Sequence, residues 1–231
     1  MRPHALLATP FTDVLYGLDR CLVRGWRSLA TVLLGTLAGW WIYVPVHELL
    51  HAAGCLAAGG RVSRLEIAAM YGGRLLARIF PFVVSGSEYA GRLSGFDTRG
   101  SDAIYLITDL APFMLTILGV WLLRRAAAAR TAPLFGAALP FALAPFLSLT
   151  GDAYEIGSIV VTRLPPWSRW LALRGDDLFL KIEEMGKTPG APWAGLALAA
   201  LLGLLWAFLT WWIADASAHR LGQEPVRSVS K

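Results

Sequence analysis

The sequence predicts an all-α polytopic membrane protein, with about four transmembrane helices and a short β-like loop at the membrane surface. Three observations predict it. Of the 231 residues 56% are hydrophobic and only 16% charged, with a mean hydropathy of +0.54; a soluble domain carries about 25% charged residues. The apolar residues also gather into runs. Charge is absent from 28–46, 131–151 and 188–214, and 103–123 is interrupted only by Asp109; about 20 apolar residues cross a bilayer as a helix. Finally, Trp26, Trp167, Trp170, Trp193, Trp211 and Trp212 fall near the run ends, where an indole suits the headgroup layer.

Each element follows from local chemistry. Residues 1–28 have short apolar patches, an internal Asp13 and no small-residue cleavage site, so an interfacial segment is expected rather than a signal peptide. Residues 27–61 are too long for one straight crossing of about 30 Å. Pro45 predicts a kink, with a span at 29–43 and a second helix at 45–58, stopped by Gly59 and Gly60. In 61–101, alternating apolar and β-branched positions predict short strands, with Pro81 confining the second to a sheet edge. A span at 103–123 ends at Arg124 and Arg125. A third starts near 132 and carries three prolines, which a membrane tolerates only where protein or water satisfies the freed backbone. Residues 164–187 read as an amphipathic surface segment, with Leu178, Ile182 and Met185 at helical spacing. The last span is 192–214. The whole, 1–231, is expected as one integral membrane domain with a core at 29–160, multi-pass and in the cell (inner) membrane.

The net charge of +5 is carried by loops between the apolar runs. Its expected partner is therefore the anionic lipid bilayer, not nucleic acid. Cys21 and Cys55 are too few and too far apart for a disulfide framework or a zinc motif of their own.

The sequence HELLH at 47–51 stands inside apolar sequence, where ionisable groups are costly and mark function. On a helix, His47 and His51 share a face and can reach one zinc ion. Glu48 is placed to act as general base on the water that zinc binds. A catalytic zinc site has three protein ligands and one open position. His4 and His219 lie near the termini, which leaves a carboxylate. Asp152 is the first choice, with Glu155, three residues on, as alternative ligand or support. Asp109 could orient a ligating histidine by accepting its other N–H.

These residues resemble the site-2 protease family of intramembrane zinc metalloproteases. The resemblance lies in HELLHAAGCLAAGGRVSRLEI, in DLAPFMLTILG, similar to the family's Gly-Pro helix, and in TGDAYE, where the family has an Asp-Gly pair. It covers about 30–160. It implies one zinc ion per chain held by His47, His51 and Asp152, with Glu48 as catalytic base. It also implies a metalloendopeptidase whose partner is a membrane protein substrate, cut in a transmembrane or membrane-adjacent segment. Ala153 replaces the family's glycine, and no PDZ or CBS-like domain fits the length, so the implied member is minimal or divergent. The segment 61–84 is expected to pair with an extended substrate strand. The alternative reading is a non-proteolytic metal- or partner-binding membrane protein of the same architecture.

Overall fold

Thirteen helices and strands carry the described chain. They are α1 (Pro3–Cys21), α2 (Trp26–Ala57), β1 (Arg61–Ile67), α3 (Gly73–Ile79), β2 (Val83–Ser85), β3 (Gly91–Asp97) and α4 (Asp102–Leu110), then α5 (Leu115–Ala128), α6 (Ala132–Ala142), α7 (Ala144–Leu147), α8 (Asp152–Val161), α9 (Leu178–Gly186) and α10 (Trp193–Arg220). The computed structural model describes residues 3–175 and 177–222, with side chains from residue 7 onward. The start of the expected interfacial segment, the His4 side chain and residue 176 of the expected amphipathic segment lie outside the described residues.

The protein is mostly helical with a small sheet. Among the described residues, three helical stretches are long and apolar enough to cross a membrane: Trp26–Ala57, Asp102–Ala128 and Trp193–Arg220. The second comprises α4, a 3-10 turn at Ala111–Met114 and α5.

Several expectations are corrected. Pro45 does not divide two helices, because α2 runs unbroken through it; a proline removes one hydrogen bond, and the turns on either side keep theirs. The third apolar run folds as the 11-residue α6 and the four-residue α7. At about 1.5 Å per residue α6 is about 16 Å long, half a bilayer core. The run after Gly72 is not a strand at first. Leu75, Leu76 and Ile79 share a helical face in α3, Pro81 follows the helix end, and only Val83–Ser85 is extended. In 164–187, two 3-10 turns precede a helix confined to Leu178–Gly186.

The chain divides into two compact units. One takes the chain up to Val44, Phe113–Ala144 and the chain from Phe208. Here α1 packs on α5 and α6. Glycines bring helices within backbone contact: a Cβ on Gly35 or Gly39 would overlap the Pro133 or Ala137 carbonyl, and one on Gly136 the Val32 carbonyl. Small residues at such crossings allow close van der Waals packing where burial from water supplies no drive. Arg124, expected as a charged span end, is instead buried at 2% exposure. Its Nη2 donates to Asp13 Oδ2 at 3.0 Å, and it pairs with Asp215 as well. A buried guanidinium needs such partners to offset its lost hydration.

The other unit comprises Pro45–Pro112 and Pro145–Ala207. Its sheet has the order β2-β1-β3, with β1 parallel to β2 and antiparallel to β3. Leu65, Ile67 and Val83 form a core with Ala52 of α2. Helix α8 lies close on α10, since Cβ atoms at Gly157 and Gly203 would overlap the carbonyls of Ala199 and Ala153. Ala153, where a glycine was the family expectation, is thus a fully buried contact. The segment after α8 is tied back over it. Arg174 clamps Asp102 through two bonds of 2.8 and 2.7 Å, and Tyr154 Oη donates to the Leu173 carbonyl at 2.7 Å. The Leu178 amide donates to the Thr150 carbonyl, and Asp177 caps α9 by accepting from the Leu180 amide.

Candidate metal centre

His47 and His51 are one turn apart on α2, so both imidazoles leave the same face. Asp152 opens α8, with Gly151 as the residue before the helix. The three side chains converge: His47 Nε2 lies 3.1 Å from Asp152 Oδ2, His51 Nε2 lies 3.5 Å from Asp152 Oδ1, and the two Nε2 atoms are 3.2 Å apart. A tetrahedral ion with bonds of about 2.0–2.1 Å holds its ligand atoms about 3.3 Å apart. The two imidazole nitrogens, 3.2 Å apart, match that spacing, and one ligand atom from each of the three residues lies within 4.8 Å of the others.

Two further observations fit a cation. His51 Nδ1–H donates to the Thr108 carbonyl at 2.9 Å, which leaves a lone pair on Nε2, the atom turned to His47 and Asp152. Asp152 Oδ2 is buried, has no hydrogen bond, and lies 3.1 Å from His47 Nε2 as an ion-pair contact. A metal ion satisfies both. The chemistry of the donor set, two imidazoles and a carboxylate, suits zinc.

His51 and Asp152 line a cavity of about 640 Å³ together with Glu48. Strand β3 forms another wall, from Gly91 to Ser94 and at Phe96; Asp177 and Leu180 close a third side. Gly91 sits directly over Glu48, since a Cβ there would lie 2.8 Å from Glu48 Cδ and 3.1 Å from Oε1. Glycine is needed for close approach, not for its backbone freedom.

The other expected residues take different places. Glu155 is buried one turn along α8 and accepts from the Tyr105 hydroxyl. It lines the cavity but is not among the converging ligand atoms. Of the two roles expected for Glu155, alternative ligand or support, its bond to Tyr105 and its place in the cavity wall agree with support. Asp109 is buried and also lines the cavity. For His51, however, the accepting group is the backbone carbonyl of Thr108. His219 lies near the end of α10 rather than beyond it, and does not join the cluster. The strand beside the centre is β3, downstream of the segment expected to flank it.

Sequence reasoning missed Thr108, Gly91 and the Tyr105–Glu155 pair. Only the first had a local signal: a proline four residues later, whose missing N–H leaves the Thr108 carbonyl available. No protein-family model matches this chain, and neither a curated protein nor a solved structure matches it.

Proposed function

We propose that this chain is a zinc-dependent intramembrane endopeptidase of the site-2 protease type. The observation that carries the reading is the convergence of Asp152 on His47 and His51 within 3.1–3.5 Å, the two histidines and Glu48 standing on a helix long and apolar enough to cross a membrane. Zinc held there supplies a Lewis acid that polarises a peptide carbonyl and acidifies water. His47, His51 and Asp152 hold the ion. Glu48 takes a proton from the attacking water and returns it to the leaving amine.

A peptide bond in a helix has its backbone groups already paired, so a helical substrate must be unwound before it is cut. Strand β3 is an edge of the sheet and lines the cavity, so its open side supports pairing with an extended substrate segment from a membrane protein. In a four-span arrangement, the interrupted stretch 132–161 makes the third crossing, which requires protein or water to satisfy its broken turns.

The test compares the membrane proteomes of cells carrying wild-type protein or Glu48→Ala, with zinc content measured on both purified proteins. The expected result is one or more membrane proteins that stay uncut with Glu48→Ala while zinc is retained. Wild-type protein purified without chelators and free of zinc overturns the reading. Zinc bound with no Glu48-dependent cleavage leaves a metal-binding membrane protein without protease activity.

A further inference from the structure

In an α-helix the carbonyl of residue i accepts from the N–H of residue i+4. For Thr108 the residue at i+4 is Pro112, which has no N–H. Helix α4 accordingly ends at Leu110, with the Ala111 amide donating to Ile107, and the chain tightens into the 3-10 turn Ala111–Met114. Thr108 is 1% exposed, and a buried carbonyl needs a donor. That donor is His51 Nδ1–H, at 2.9 Å.

The approach is possible because Gly54 follows His51 by one turn on the same helix. A Cβ at Gly54 would lie 2.7 Å from Ala111 Cβ and 2.8 Å from the Ile107 carbonyl oxygen. The missing side chain lets α2 come near enough to α4 for an imidazole to reach its backbone.

We propose that Pro112 is a positioning residue of the metal centre: by withholding the N–H that would claim the Thr108 carbonyl, it leaves that carbonyl to His51. The carbonyl then fixes the imidazole as the Nδ1–H tautomer, with the Nε2 lone pair turned to His47 and Asp152. The ligand role rests on the metal reading above, whereas the Nδ1–H held by the Thr108 carbonyl is a property of the metal-free protein. Partners that orient a ligating histidine are worth about 10–100-fold in metal affinity.

The test makes two changes at position 112 in the full-length protein: Pro112→Ala, and the ester analogue of that alanine, lactate introduced by nonsense suppression. The two carry the same methyl group and differ in one N–H. Two readouts apply: the ¹⁵N shifts of the His51 ring in metal-free protein, and zinc affinity by competition with a chromogenic chelator. Pro112→Ala is expected to bind zinc about 10–100-fold more weakly and to populate the Nε2–H tautomer. The lactate variant is expected to match wild type in both. Identical behaviour of the two variants, or a wild-type tautomer in Pro112→Ala, overturns the proposal. If Pro112→Ala does not fold, the lactate variant alone decides: a wild-type tautomer supports the proposal and an altered one overturns it. If wild-type protein binds no zinc, the metal reading fails while the tautomer readout still judges Pro112.

Discussion

Gly91→Ala separates the base from the metal. The added Cβ would stand 2.8 Å from Glu48 Cδ and 3.1 Å from Oε1, against an ordinary carbon contact of about 3.5–4.0 Å. Glu48 must therefore move by about 1 Å. The overlap reaches Glu48 Cγ as well as the end of the side chain, so the cost in stability is about 1–3 kcal/mol, the usual range of overpacking. The cost in rate is not small, because a misplacement of about 1 Å in a reacting group lowers activity by about 100-fold. None of the converging ligand atoms belongs to Gly91 or Glu48, so zinc content stays at the wild-type level. The assay is cleavage of a substrate found by the proteome comparison, in detergent or proteoliposomes, with zinc content and thermal stability measured on the same preparation. Wild-type cleavage by Gly91→Ala, or a fall in zinc content that tracks the fall in rate, would refute the reasoning.

Arg124→Met removes the guanidinium from a pair in which the Arg124 side chain is 1% exposed and Asp13 0%. Breaking a buried pair costs about 3–5 kcal/mol, and Asp13→Leu combined with Arg124→Met recovers most of it; denaturant titration in detergent measures both, and a single-variant loss below about 1 kcal/mol contradicts the account. On the sheet, the Ser94 hydroxyl donates to Glu66 at 3.0 Å and, with Arg64, holds that carboxyl below its usual range. A depressed carboxylate contributes stability above its unfolded pKa and loses it as pH falls through the folded value, so the loss is confined to pH below about 4. Ser94→Ala should raise the Glu66 midpoint in a ¹³C NMR titration, and an unchanged midpoint would assign the effect to Arg64 alone.

The motif residues were legible because their relation is local. His47, Glu48 and His51 lie within five residues of one helix, so their spacing carries most of the geometry. Asp152 was legible for a different reason: a carboxylate at the end of an apolar run is costly without a task. Which of Asp152 and Glu155 lies beside the histidines needed coordinates, since i and i+3 share a helical face and only the start of α8 sets which carboxylate comes near. Arg124 was misread because its partners lie 111 and 91 residues away, beyond any periodicity. Residues 73–79 were misread because two leucines and an isoleucine suit a strand or a single helical turn equally, and contact with β2 decides.

The Asp13–Arg124 pair also bears on how the chain is made. Synthesis runs from the N-terminus at about 5–20 residues per second, and Arg124 is 111 residues behind Asp13. Helix α1 therefore leaves the ribosome about 6–22 s before its guanidinium exists. Asp215 closes the trio only a further 91 residues on. Helix α1 can dock at that arginine only once α5 has emerged, so assembly order is written into the spacing of three charged residues along the chain.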